Sequence, residues 1–276
     1  MASSPKVVLI TGCSEGGIGH ALCEAYVARG CVVYATARRP KSMSNFNHPN
    51  IYTYELDILD DVQVNKVIKA IIDKEGKIDI LVNNAGSGAP GAILDMTVDQ
   101  ARRAFETNTF SVLRLSRAVA PHMAKRNSGT IVTIGSIAAL FPAPWGGIYS
   151  ATKAATHIIM DTLWMECKPL GINITLVAPG LVKSNIAENA LALLNTPEDT
   201  LYPTYIPGIS KLLKAGQTAS NVMPTKVFAE KVAKETLKEN PPRYMTLGGA
   251  SFVFKVLSWF PRIVVLDMIW SKLSKL

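Results

Sequence analysis

Short apolar runs alternate with stretches of helical periodicity from the first residues of the chain onward. KVVLIT (6–11), CVVYAT (31–36), IYTYEL (51–56), DILVNN (79–84), GTIVTIGS (129–136) and INITLVAPG (172–180) are rich in Val, Ile and Tyr. Runs apolar on both faces are the pattern of strands buried inside a parallel sheet. Helical spacing fills roughly 18–30, 60–75, 97–126 and 147–169 between them. Strand, helix, strand, repeated, predicts a single α/β domain over residues 1–250, a doubly wound parallel sheet with helices on both faces.

Two segments break that rhythm. Residues 181–223 are helix-prone but punctuated by Pro197, Pro203, Pro207, Gly208 and Gly216. An insertion after a strand's carboxyl end lies where open α/β sheets bind ligands, so this stretch is expected to be a substrate lid; a surface excursion is the plainer alternative. Residues 251–276 hold three of the eight Phe and two of the four Trp, interrupted by Lys255, Arg262, Asp267 and Lys272 and broken at Pro261. Charges this frequent exclude a spanning helix of ~20 apolar residues. Two short amphipathic helices lying in a membrane interface are expected, with packing on the protein's own core or on a partner subunit as the alternative.

The 276 residues carry 29 Lys and Arg against 21 Asp and Glu, a net charge of +8, which suits an anionic partner without selecting one. Cys13, Cys23, Cys31 and Cys167 form no C-x-x-C pair, and the four His have no ligand spacing, so neither a metal nor a disulfide framework is expected. The apolar run before Thr11 is too short for a secretory signal.

The first strand ends in TGCSEGGIGHAL (11–22), where Gly12, Gly16, Gly17 and Gly19 stand between strand and helix. Such a turn brings backbone N–H groups and a helix N-terminus to a pyrophosphate, the arrangement of a Rossmann-type dinucleotide site. An NAD site would carry an acid at the end of the second strand; here Arg38 and Arg39 follow Ala37, and paired guanidiniums suit the 2′-phosphate of NADP(H). The same loop contains G-x-S-x-G around Ser14, the pattern of an esterase nucleophile elbow, which keeps an ester hydrolase as a reading from another class.

Ser136 closes a strand, and Tyr149 and Lys153 follow at helical i, i+4 spacing. The ammonium is expected to lower the phenol's pKa from about 10, making it a proton donor to a carbonyl under reduction, while Ser136 steadies the same oxygen.

TGCSEGGIG (11–19), LDI (56–58), NNAG (83–86), Asn108 in TNTF, GS (135–136), YSATK (149–153) and APGLVKS (178–184) together resemble the short-chain dehydrogenase/reductase family over residues 6 to about 250. The resemblance implies that Tyr149 is the catalytic acid/base, that Lys153 tunes it and holds the nicotinamide ribose, that Ser136 positions substrate, and that Asn108 links Lys153 to a proton-relay water. It further implies cofactor contacts at Gly12, Ser14, Gly17, Ile18, Gly19, Asp57, Asn84, Val182 and Ser184, and at Arg117, which is equally a surface charge. The glycine loop is one residue longer than the family's pattern, and Ser184 stands where Thr is usual.

Within the family, VYATARR, the glycine loop and the basic apolar tail are most similar to fungal NADPH-dependent reductases of 1-acyldihydroxyacetone phosphate. That likeness implies reduction of a lipid ketone at the cytosolic face of the endoplasmic reticulum or a lipid droplet, contact with that surface through the tail, no nucleic-acid partner, and a possible homodimer. A membrane-associated steroid or retinal reductase is the nearest alternative.

Overall fold

The computed structural model describes residues 4–274; Lys275 of the tail lies outside the described residues, as does the side chain of Lys255. Seven strands form one sheet in the order β3-β2-β1-β4-β5-β6-β7, every neighbouring pair parallel. They are β1 (Val7–Thr11), β2 (Val32–Ala37), β3 (Ile51–Glu55), β4 (Ile80–Asn83), β5 (Gly129–Ile134), β6 (Ile172–Pro179) and β7 (Tyr244–Leu247). The first six lie where the apolar runs place them.

Alternate residues of the central strands enter two separate cores. Val8 and Ile10 of β1 pack with Leu22 and Tyr26 of α1 (Ile18–Val27) and with Phe228 and Val232 of α8 (Thr225–Thr236). Val7 and Leu9 join Ile68 and Ile71 of α2 (Asp61–Glu75), Leu115 and Val119 of α4 (Ser111–Ala124), and Met160 of α5 (Gly147–Glu166). A sheet covered on both faces needs apolar side chains at every strand position, which is why the runs do not alternate with polar residues.

The helix expected over 97–126 is instead α3 (Val98–Phe105), a π-helical turn over Glu106–Phe110, and α4. Thr97 starts it with a capping box, its hydroxyl accepting from Gln100 N while the Gln100 side chain accepts from Thr97 N. The widened turn carries Asn108, and such bulges recur at functional sites.

Residues 181–223 fold into α6 (Ile186–Leu191), a 3-10 turn at Pro203–Tyr205 and α7 (Ile206–Thr218). Asp95, in the loop after β4, accepts a hydrogen bond from the Thr200 hydroxyl at 2.5 Å, and a Cβ added at Gly88 would collide with Ala190. The segment therefore lies over the carboxyl end of β4. The tail forms α9 (Ser251–Leu257) and α10 (Arg262–Leu273), separated at Pro261. It rests partly on the protein: Val265 is fully buried, Arg262 donates to the Leu140 carbonyl at 3.3 Å, and the Trp270 ring lies 6.1 Å from that of Tyr205.

Candidate active site

The strand order reverses between β1 and β4, and the loops leaving those two strands open the crevice in which doubly wound sheets bind ligands. The loop after β1 absorbs its extra residue at Gly16. Gly17 N donates to Ser14 O at 3.1 Å, closing a turn in which Gly16 has φ +75°, a conformation that favours glycine. Gly17 is then the N-cap of α1, and Ile18 opens the helix. A Cβ at Gly19 would collide with the Gly12 carbonyl, so the helix end and the strand end approach as closely as backbone allows.

Ser14 hydrogen-bonds Ser42 at 3.0 Å, and Glu15 N donates to Ser42 O at 2.9 Å. These bonds tie the glycine loop to the segment after β2, which begins with the exposed Arg38 and Arg39. A cradle of close-packed backbone beside two exposed guanidiniums, with no acid at the end of β2, fits NADP(H). The Ser14 hydroxyl bonds that of Ser42, and no imidazole among the described residues hydrogen-bonds it, so the esterase elbow lacks its base.

Asn84 is held by two backbone carbonyls, donating to Thr11 O at 2.8 Å and Gly12 O at 3.1 Å. It buttresses the glycine loop from β4, a role its place in NNAG does not disclose. Asp57 follows β3, its carboxylate accepting from Leu59 N at 3.0 Å. Val182 is buried and bridges to Met223, and Ser184 N donates to the Gln217 side chain, so both stand at the base of the lid. Arg117 does not join the cluster: it is exposed on α4 and lines a groove of about 200 Å³ with Asp61, Asn65 and Arg114.

At the end of β5, Ser136 is extended and its hydroxyl accepts from Ala138 N at 3.1 Å. The same hydroxyl lies close enough to the phenol of Tyr149 to favour its ionised form. One helical turn on, the Lys153 ammonium donates to the Ile134 carbonyl at 2.9 Å and lies 5.9 Å from the centre of the Tyr149 ring. The three residues singled out by spacing thus converge.

The electrostatics correct one expectation. Burial pushes the Tyr149 phenol above its ordinary value, and the nearby Ser136 hydroxyl, not Lys153, draws it back. Lys153 is itself 5% exposed, and burial takes its pKa down to about 8. Its charge is directed at a backbone carbonyl, and a buried ammonium weakens as an electrostatic partner because desolvation favours its neutral form.

Asn108 is fully buried. Its side chain accepts from Ser87 N at 2.8 Å and donates to Ser87 O at 2.9 Å and to the Thr152 hydroxyl at 3.0 Å. Its backbone carbonyl accepts from Thr156 at 3.0 Å. A Cβ at Gly86 would stand 3.2 Å from the Asn108 carboxamide oxygen and 3.7 Å from the Lys153 nitrogen. Asn108 therefore locks the loop after β4 to α5 beside Lys153.

Sequence reasoning gave His157 no part in this site. It is the next residue on the Lys153 face of α5, and its Nε2 accepts from Ser136 N at 3.3 Å. Burial first, and then Lys153, take its pKa down to about 4, so it is a neutral acceptor around pH 7. Asn185 was likewise missed; it donates to Glu15 O at 2.9 Å and fastens the lid to the glycine loop.

A dinucleotide cradle joined to a Ser-Tyr-Lys cluster at one sheet edge defines an NADP-dependent oxidoreductase of C=O and CH–OH groups. The chain belongs to the short-chain dehydrogenase family, whose profile matches residues 6–193. It is 36% identical over 264 residues to short-chain dehydrogenase PC-15 of Penicillium crustosum, covering 94% of each chain. To the NADPH-dependent 1-acyldihydroxyacetone phosphate reductase of Schizosaccharomyces pombe it is 33% identical over 204 residues, 72% of this chain and 69% of that one. Among solved structures, a short-chain dehydrogenase from Streptomyces avermitilis superposes with a TM-score of 0.81 at 30% identity, over 100% of this chain and 99% of the other.

Proposed function

We propose that the protein reduces a lipid ketone with NADPH, and that its substrate is 1-acyldihydroxyacetone phosphate, converted to 1-acylglycerol 3-phosphate. The observation that carries the lipid reading is an aromatic wall beside the catalytic segment. Trp145, four residues before Tyr149, lies 5.3 Å from the rings of both Tyr202 and Tyr205 of the lid. Leu193 and Leu201 stand exposed on the same lid. Such a surface suits an acyl chain, and exposed Lys183, Lys211 and Lys214 supply charge for a phosphate. The likeness to the Schizosaccharomyces pombe reductase supports the same substrate class.

Bound NADPH would supply the hydride to the carbonyl carbon, held by the glycine loop and by Arg38 and Arg39. Ser136 orients the carbonyl oxygen, and Tyr149 gives its hydroxyl proton to that oxygen as the C–O π bond breaks. The raised pKa keeps the proton on Tyr149 until it is needed. His157 and Asn108 hold Ser136 and the β4 loop in place. Arg38 and Arg39 would clamp the 2′-phosphate through charge-assisted hydrogen bonds.

The test is NADPH oxidation with 1-acyldihydroxyacetone phosphate beside a steroid ketone and a retinal. The phosphorylated lipid is expected to give the highest kcat/KM. Turnover confined to the unphosphorylated carbonyl compounds would remove the lipid-phosphate assignment.

A further inference from the structure

Helix α10 carries large apolar residues on its outer as well as its inner side, with Asp267 and Ser271 exposed among the outward ones. Val265 is fully buried, and Leu266, Ile269 and Leu273 are half-buried on that side. Its outward positions are Ile263, Val264, Met268 and Trp270, with Ile263 still 65% exposed. Phe252 on α9 and Trp259 in the connection are 76% and 77% exposed. A surface helix that has buried its inner stripe ordinarily turns charge outward. Here one face is satisfied by the protein and the other lacks an apolar partner.

The fold links this face to the catalytic cleft. Trp270 meets Tyr205 of the lid, Tyr205 meets Trp145, and Trp145 begins the turn into the helix bearing Tyr149. Arg262 meanwhile holds the start of α10 to the Leu140 carbonyl, in the loop after Ser136. Trp145 adopts φ +66°, a strained conformation for a large side chain, maintained where lid and catalytic loop meet. The tail therefore extends one wall of the cleft and is not a loose tether.

We propose that the α9–α10 face seats on an anionic bilayer surface and, through the Trp270–Tyr205–Trp145 contacts, sets the mouth of the catalytic cleft against that surface. This deepens the lipid-ketone reading and rests on it for what enters the cleft. A bilayer is the occupant because exposed Trp and Phe stand with Arg262 and Lys272 against one acid, Asp267, the composition of a helix lying at a headgroup boundary. Lid helix α7 adds exposed Lys211 and Lys214 and carries no acid. No helix among the described residues is long and apolar enough to cross a membrane, so the face lies along the surface. A second copy seated on it by two-fold symmetry would bring the same basic rim against itself.

The full chain is sedimented with vesicles of phosphatidylcholine alone and of phosphatidylcholine with phosphatidylserine, beside the Trp259→Ser/Ile263→Ser double variant. Both substituted side chains are exposed, and turnover of a small water-soluble ketone without vesicles should be the same in both proteins. The full chain is expected to bind the anionic vesicles more than the neutral ones, and the variant to bind them about tenfold less. Full-length protein that stays in the supernatant, or a variant that binds equally well, overturns the proposal. So does a dimer of the full chain that the double variant dissolves, which would assign the face to a second copy. Vesicle binding is read without cofactor and soluble-ketone turnover without vesicles, so failure of the docking surface and failure of the reductase reading are separable.

Discussion

Ser136 and His157 are joined across the sheet edge: the serine's backbone N–H donates to the histidine's Nε2 at 3.3 Å. A Cβ at Gly135 would collide with that imidazole, so the strand end and α5 approach closely enough to fix where the serine hydroxyl stands. Replacing the acceptor by an apolar ring leaves a half-buried N–H without its partner, a change of about 1–3 kcal/mol. In His157→Phe, kcat for ketone reduction is expected to fall about tenfold or more, with little change in KM for NADPH. His157→Gln, which retains an acceptor, should recover part of the rate. Equal loss in both variants, or a loss confined to cofactor KM, would contradict the positioning role.

The same histidine predicts a pH dependence of stability. Its folded pKa, about 4, lies below the ordinary 6.5, so the unfolded chain binds the extra proton between those values. The contribution is complete above about pH 6.5 and is lost as pH falls toward 4, by a few kcal/mol for this group alone. Urea unfolding of the native protein and His157→Phe at pH 7 and pH 5 measures it. The native protein should lose more stability over that interval than the variant.

Catalysis should respond to pH from the opposite side. Burial lowers Lys153 to about 8 while raising Tyr149, so the ammonium loses its proton before the phenol does. With the ammonium holding the nicotinamide ribose, as the family resemblance implies, kcat/KM of the free enzyme for reduction is expected to fall as pH rises through about 8. Lys153→Arg, whose charge persists, should move that limb to higher pH. A profile unchanged in the arginine variant would remove Lys153 from the titration.

Cofactor choice rests on Arg38 and Arg39. Loss of a charge-assisted phosphate contact costs about 1.5–3 kcal/mol, so the double alanine variant should show KM for NADPH raised at least about tenfold, with KM for NADH nearly unchanged. Initial-rate kinetics with both nucleotides checks this, and equal effects on the two would contradict the phosphate clamp.

Much of the frame was legible because strands buried on both faces announce themselves, and β1, β2, β4, β5 and β6 are of that kind. Strand β7 escaped notice: it is four residues long at the sheet edge, with only Met245 buried, and it presents no apolar run. The glycine loop, Ser136, Tyr149 and Lys153 were readable from local order and i, i+4 spacing. The direction of the Tyr149 shift was not, because burial depends on packing that spacing does not encode. His157 carried a signal, standing four residues beyond Lys153 and thus on the same helix face. What hid it was its partner, a backbone N–H, which has no mark in the sequence. Arg117 stands as the surface charge that was its alternative reading, since helix position alone does not say which face of α4 looks toward the cleft.

The central claim is that the Tyr149 hydroxyl supplies the proton as a ketone accepts hydride. Its most direct measurement is single-turnover oxidation of NADPH by Tyr149→Phe, with cofactor affinity read separately by nucleotide fluorescence. The account predicts unchanged NADPH binding and a rate lower by about 10²–10⁴-fold. A phenylalanine variant that binds NADPH and oxidises it at the native rate would contradict it.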